Sequence, residues 1–336
     1  MNTDKHRYGA GFICVYLCSS VAKRFLAFVL GLGFAAIATA QPFPAKPLRF
    51  VAMSTGFPEN TARAIGNEIT LMAKQPVVVD PRPGANGILA AEHVSRAAPD
   101  GYTLLIGTNS THAANPSLYK KLPYDYVKDF APVSGISVGM SALVVNPHVP
   151  AKTVAELTAL ARKAPGKLSF GHGSSVSLTA VEYYKLLSGT NIVNVPYKTV
   201  PQGITDLIAG RIDLMVANLG AAVPQVQAKR LRALAVTGAT RWSLLPDTPT
   251  MHEAGINNYE WTFWNAAWLP ANTPPEIVAR MNEWIVAALE RPRVKDYLFN
   301  AGSTAFGTTP DGLMKFQIAE HDKWRKVILA AKIQAE

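Results

Sequence analysis

The mature part of this chain has no cysteine. Two cysteines occur in the 336 residues, Cys14 and Cys18, and both fall in an N-terminal leader. The remainder therefore excludes disulfides, thiolate catalysis and cysteine metal sites. Seven histidines are present, but none follow metal-ligand spacing, so no metal site is expected. Charge is also sparse. Only 17% of residues are charged, with a formal net of +10, and the basic residues form no run and no stripe interleaved with aromatics. Nucleic acid is a poor partner for such a surface, and a small organic anion is a better one. Beyond the leader no segment is apolar enough to cross a bilayer, which takes roughly 20 residues. What is abundant is hydrophobic material, 49% of the chain. That describes a globular protein with a large core, and this length favours two domains.

The leader has three recognisable parts. Lys23-Arg24 precede the apolar run Phe25 to Leu30, and Ala38-Thr39-Ala40 precedes Gln41. This is the pattern of a secretory signal peptide cleaved after Ala40. Residues 1–22 are long and polar for its basic region, so translation is expected to start near Val21. Gly31-Leu32-Gly33-Phe34-Ala35-Ala36 imitates a dinucleotide fingerprint, but it lies inside the leader. No cofactor is expected.

The chain then alternates between strands and helices. Leu48 to Met53 is a bulky apolar run that predicts a buried strand. Ser54 to Glu59 breaks it with small and polar residues, and a helix is expected from Glu59–Thr61 with Ala62, Ile65 and Ile69 on one face. Strand, small polar loop and helix N-terminus together present N–H groups and a positive dipole end to an anion. The order recurs. Pro76–Asp80 and Tyr102–Ile106 are strands, and the second runs into Gly107-Thr108-Asn109-Ser110. Leu168–Phe170 runs into Gly171-His172-Gly173-Ser174-Ser175, followed by a helix over 178–187. Ile212–Val216 ends in Ala217-Asn218. Such alternation means an α/β fold with mainly parallel sheets, where ligands sit beyond the carboxyl ends of the strands. Thr153/Glu156 and Thr273/Glu276 fit capping boxes at helix starts. Thr309-Pro310-Asp311 opens a last helix.

Several of these stretches resemble the Bug family, the extracytoplasmic solute-binding proteins of tripartite tricarboxylate transporters. They are Tyr102 to Asn109, Asn115-Pro116, Leu122-Pro123-Tyr124-Asp125, Arg82-Pro83-Gly84-Ala85, Ala98-Pro99-Asp100-Gly101, Val195-Pro196-Tyr197-Lys198, Asp213-Leu214-Met215 and Leu245 to Thr250. They occur in family order across the mature chain. The resemblance implies a type II-like, two-lobed periplasmic binding protein fold with a two-stranded hinge. Carried over, lobe 1 is 41–143 plus 268–336, lobe 2 is 147–264, and the crossings lie near 144–147 and 265–270. It also implies a monomeric periplasmic protein that delivers its ligand to a membrane permease. The chain departs from the family in three places. The loops at Ser54–Glu59 and at Gly171–Ser175 are shorter, Glu59 stands near a usual aspartate, and Ala217 precedes Asn218 where an aspartate is common.

The candidate ligand residues are Ser54, Thr55, Gly56, Phe57 and Glu59 from the first loop, with Asn109 and Ser110 from the second. Gly173, Ser174, Ser175 and Asn218 come from the other lobe. Hydroxyls and N–H groups suit a carboxylate without a full countercharge. The shortened loops, Phe57, and Trp261, Phe263 and Trp264 near the second crossing point to a flat, aromatic acid, since aromatic rings stack. Glu59 speaks against a second carboxylate beside the first loop. The rival reading is an exported hydrolase. Gly135-Ile136-Ser137-Val138-Gly139 matches the nucleophile elbow, with Ser137 as nucleophile, and His172 stands close to Ser174 in sequence. The elbow requires a strand before and a helix after, whereas the strand 141–145 follows Ser137. No acid is identifiable to orient His172. A non-catalytic binding protein is therefore expected.

Overall fold

The computed structural model describes residues 43–333. The leader, its cleavage after Ala40, the start near Val21, both cysteines and the false fingerprint lie outside the described residues.

Strand β1 (Leu48–Ala52) is buried at all but one position. It leads through a tight loop into helix α1 (Phe57–Ala73), which buries Thr61, Ala62, Ile65, Gly66 and Ile69. Those positions are three or four residues apart, so they form one face against the sheet. The helix begins before the expected Glu59–Thr61. Pro58 lies in its first turn, where its fixed φ suits a helix and its missing N–H costs nothing. β2 (Val77–Pro81), α2 (Ile88–Ser95) and β3 (Thr103–Thr108) complete the opening units. β1 pairs in parallel with both β2 and β3. A π-helical turn over Ser110–Ala114 and the short helix α3 (Asn115–Leu118) follow β3.

β4 (Phe130–Val145) is one 16-residue strand. Up to Met140 it pairs antiparallel with β9 (Thr262–Pro270), and with β10 (Ser303–Ala305). From Ser141 it pairs with β7 (Leu214–Asn218) and β8 (Arg232–Val236). Between these come α4 (Val154–Lys163), β5 (Ser169–His172), α5 (Ser175–Ser188), β6 (Val193–Pro196), α6 (Val200–Ile208) and α7 (Leu219–Gln227). β5 pairs in parallel with β6 and β7. The sheet order is β2-β1-β3-β9-β4-β7-β5-β6, with β8 and β10 both on β4. Parallel pairing thus holds within the βα units, as expected, and antiparallel pairing is added where β4 and β9 pass through. The chain closes with α8 (Pro275–Leu289), α9 (Pro292–Asn300) and α10 (Pro310–Ala330).

Two caps behave differently from one another. Thr153 accepts from the Glu156 N–H at 3.1 Å, one half of the box, while the Glu156 carboxylate accepts from the Lys152 N–H rather than that of Thr153. Thr273 does not cap α8. Its hydroxyl donates to the Pro270 carbonyl at 2.7 Å, and Pro274 occupies the cap position. The expected second capping box is therefore absent, because the first of two consecutive prolines takes the place of the capping side chain.

Trp261, Trp264, Trp268 and Trp324 are among the largest fully buried side chains. Trp261 stands 4.5 Å from Trp324 of α10, ring to ring. Trp264 and Trp268 donate their indole N–H groups to Glu320 and Gln317 of α10 at 2.9 and 2.8 Å. The C-terminal helix is thereby fastened to β9, which lies between β3 and the first part of β4. Among the described residues no helix is long and apolar enough to cross a membrane.

Candidate functional site

The first loop is short and open. Gly56, at φ 82°, is the N-cap residue of α1, and no side chain caps that helix. A positive φ is the reason for glycine here. The Asn60 N–H bonds to the Gly56 carbonyl at 2.9 Å, which is the first helical bond. Pro58 has no N–H, so Phe57 and Glu59 carry the free donors of the first turn. Ser54 is half-buried, and Thr55 and Gly56 are exposed. Glu59 is ion-paired with Arg63 one turn on, at 2.7 Å. Its charge is thus compensated locally, which removes much of the objection that it would repel a carboxylate.

The end of β3 is built more tightly. The Thr108 N–H bonds to the Thr111 hydroxyl at 3.1 Å, and that hydroxyl donates to the Thr108 carbonyl at 2.9 Å. The Ser110 N–H bonds to the Thr108 hydroxyl at 3.0 Å. These bonds knot Asn109 and Ser110 into the start of the π-helical turn, and both are buried. Behind them His112 is fully buried and stacked on Trp268 at 3.7 Å. Burial drives its pKa down from 6.5 to about 3, so the ring is neutral at physiological pH. Thr111 Oγ1 lies 2.9 Å from its Nδ1.

The second half of the molecule presents two helix starts. At α5, Ser174 accepts from the Ser177 N–H at 3.3 Å, and the Ser177 hydroxyl accepts from the Gly173 N–H at 3.2 Å. At α7, Asn218 accepts from the Ala221 N–H at 3.2 Å. Ser174 and Asn218 therefore serve as helix caps. Gly173 is required by close approach, since a Cβ there would lie 2.2 Å from the Thr199 carbonyl carbon.

The structure brings several of these residues together. Ser110 and Ser175, from the two halves, have their hydroxyl oxygens 2.7 Å apart, and both are buried. Phe57 packs edge-on against Phe263 at 5.6 Å and stacks on Tyr297 at 6.1 Å. The expected aromatic stacking surface is not formed. Trp261 and Trp264 are buried and committed to α10, and the Phe57 ring is taken up by its two neighbours.

The nucleophile reading also fails on geometry. Ser137 lies within β4, in register with Asn265 of β9 and Ala305 of β10, and is fully buried. It is at no strand-to-helix turn. Ser174 is engaged with Ser177 rather than poised by a base. Among the described residues no group of three or more His, Cys, Asp or Glu could hold a metal ion.

One residue in this region was not singled out from the sequence. Asn265 is buried, lies opposite Thr108 on one side and Ser137 on the other, and belongs to the otherwise hydrophobic run TFWNAAWLP apart from its first residue. A lone amide inside a buried strand is a legible signal, because a buried polar group needs a partner.

Residues 61–333 match the model of the tripartite tricarboxylate transporter family receptors. The chain is similar to a Rhodopseudomonas palustris protein solved with adipate, Rpa4515. Identity is 34% and the TM-score 0.81, over 87% of this chain and 99% of that one. It is similar to MatC from the same organism, solved with bound malate, at 28% identity and TM-score 0.77, over 85% and 100%. The periplasmic binding protein BugD gives 25% identity and TM-score 0.78, over 88% and 100%.

Proposed function

The chain belongs to the tripartite tricarboxylate transporter family of receptors, and we propose that it captures a small aliphatic carboxylate between two lobes. The observations that support this reading are the uncapped start of α1 and the Ser110–Ser175 contact between the two halves. A helix start with unclaimed N–H groups attracts an anion. A hydroxyl pair contributed by both halves supplies a second set of polar groups. Ser54, Thr55, Gly56, Phe57, Asn109 and Ser110 form the lobe 1 part of the site. Gly173, Ser174, Ser175 and Asn218 form the lobe 2 part, with Ser174 and Asn218 acting through the helix ends they cap. Aliphatic acids are favoured over flat aromatic ones because the nearby indoles are buried in the core. Adipate and malate, bound by the two relatives, are the first compounds to try.

The lobes divide where β4 changes partners, at 140–141, and where β9 begins, at 261–262. On this reading the crossings lie a few residues before the 144–147 and 265–270 expected from the resemblance. Binding closes the lobes over the ligand, because full coordination needs both loop sets. The protein works in the periplasm as a monomer after cleavage behind Ala40. It hands its ligand to a permease unchanged, and has no catalytic role and no affinity for nucleic acid.

The test is a thermal-shift panel on residues 41–336 with malate, adipate, succinate, citrate, glutamate and benzoate, followed by X-ray scattering with and without the best binder. The reading expects one or more aliphatic acids to raise the melting temperature, a smaller radius of gyration on binding, and recovery of the acid intact. A panel without any shift, or a chemically altered acid, contradicts it.

A further inference from the structure

Helix α9 is held from two sides. On one, Tyr297 stacks on Phe57 at 6.1 Å, and its hydroxyl donates to the Phe57 carbonyl at 3.3 Å. Phe57 is the first residue of α1, so α9 braces the start of that helix. Two residues on, Phe299 lies against Trp242, with ring centroids 5.1 Å apart and planes inclined by 30°. Successive helical residues turn by about 100°, so Tyr297 and Phe299 leave α9 on nearly opposite sides. The helix therefore stands between the α1 start and Trp242. Its two contacts belong to different parts of the sheet. α9 leads into β10, which pairs with residues 137–139 of β4. Trp242 follows β8, which pairs with residues 142–145 of the same strand.

Next to this ring pair, backbone meets backbone. After α9 the chain turns at Gly302, φ 80°, whose carbonyl accepts from the Met140 N–H at 3.2 Å. A Cβ on Gly302 would overlap Leu219, and one on Gly220 would lie 3.2 Å from the Ala301 Cα. The turn is thus seated on the start of α7, beside the point where β4 changes partners. That seat fixes where α9 ends and so where Phe299 is presented. Trp242 is buried at 7% exposure, whereas Phe299 keeps 38%. The Phe299 ring is the accessible half of the pair, removable without opening the core.

We propose that Phe299 and Trp242 are positioning residues for ligand capture. Their rings latch the two lobes in the arrangement in which Ser110 and Ser175 meet. This rests on the two-lobe capture reading above, with α9 in lobe 1 and Trp242 in lobe 2. Neither residue belongs to the candidate ligand set. The pair acts through α9, which carries the position of lobe 2 to the α1 start by way of Tyr297 and Phe57. Separating the lobes parts the two rings, so their contact weights the equilibrium toward the joined arrangement. A ligand that needs both loop sets binds only that arrangement, and its apparent affinity scales with the fraction of molecules in it. Affinity is thus set in part by a contact outside the ligand loops.

The experiment is calorimetric titration of residues 41–336 with malate or adipate, whichever the wild type binds more tightly. The proteins are the wild type, Phe299→Ala, Phe299→Tyr, Trp242→Leu and the double variant Phe299→Ala/Trp242→Leu. Phe299→Ala is expected to weaken the acid by about two- to tenfold, the range of one aromatic pair. Phe299→Tyr keeps the ring, with its hydroxyl able to reach water, and should restore wild-type affinity. Trp242→Leu breaks the pair from the other side and should bring a similar loss. The double variant should bind no worse than the weaker single variant, because both substitutions remove one contact. Unchanged affinity in Phe299→Ala overturns the proposal, and a lower melting temperature alone then marks a structural role. So do losses that add in the double variant, or a tyrosine variant as weak as the alanine one. Should Trp242→Leu fail to fold, the alanine and tyrosine variants decide between these outcomes. A wild type that binds neither acid refutes instead the capture reading on which the proposal depends.

Discussion

The starts of α1 and α5 are built from similar sequence and behave differently. Ser54-Thr55-Gly56 ends in a glycine at φ 82° and leaves α1 without a side-chain cap. Gly173-Ser174-Ser175 leads into an α5 whose Ser177 N–H is taken by the Ser174 side chain, while the Ser177 hydroxyl accepts from the Gly173 N–H. One loop has room around it, as a Cβ on Gly56 would meet nothing within 4 Å. The other is wedged against the Thr199–Val200 backbone. The first is therefore the end that offers unclaimed N–H groups to an anion, and the second is a rigid wall that brings one hydroxyl, Ser175, to the meeting point. Counting serines and glycines does not separate the two. What separates them is whether the helix consumes its own polar side chains.

Gly173→Ala should break this contrast most severely. Its new methyl group would stand 2.2 and 2.3 Å from backbone atoms of Thr199 and Val200, which cannot rotate away. Overpacking of this kind costs about 1–3 kcal/mol or more, read as a fall in melting temperature. Gly56→Ala meets no atoms within 4 Å, and only the strain of a positive φ applies, about 1–3 kcal/mol. A Gly56→Ala loss exceeding that of Gly173→Ala would mean the packing contrast is wrong.

Acid should reveal the knot behind Asn109. His112 stays neutral in the folded protein down to about pH 3, while the unfolded chain takes up a proton near pH 6.5. The unfolded state thus binds more protons over that window, and stability falls as the pH drops through it. The slope reaches about 1.4 kcal/mol per pH unit for one group. His112→Phe keeps a ring against Trp268 and removes the titration. Melting temperature measured against pH should then decline less steeply below pH 6.5 than in the wild type, and parallel curves would rule this account out.

Smaller effects sharpen the comparison. Ser174→Ala removes a cap worth about 1 kcal/mol and should lower stability more than it lowers ligand affinity. Chemical denaturation alongside titration checks which falls further. Ser110→Ala deletes the one hydroxyl contact with Ser175. It should cost about 0.5–1.5 kcal/mol and expand the ligand-free protein in scattering. An identical scattering profile would show that this pair does not hold the halves together.

The strand, loop and helix order of both halves was legible because apolar runs stop at small polar residues, and the candidate loops fall at those stops. Phe57 as the first helical residue was less so, because a proline at the second position reads as a breaker until its place in the first turn is known. β4 was read only from 141 to 145, since Pro132, Gly135 and Gly139 punctuate its pattern. Its full length is decided by pairing with β9, which no local signal carries. The same limit hid Asn265. Its neighbours in space, Ser137 and Thr108, lie 128 and 157 residues away in the chain, and only strand register joins them. The tryptophans near the second crossing were misread for a related reason. Periodicity gives a face, but α10 decides that this face is interior.

The central claim is that an open α1 start and the polar residues around it hold a carboxylate. It is tested most directly by titrating residues 41–336 with malate and adipate, each against its neutral diamide of the same shape. The account predicts saturable binding of at least one acid and a loss of about a hundredfold or more for its diamide. Equal affinity for acid and diamide, or no binding of either acid, would contradict it.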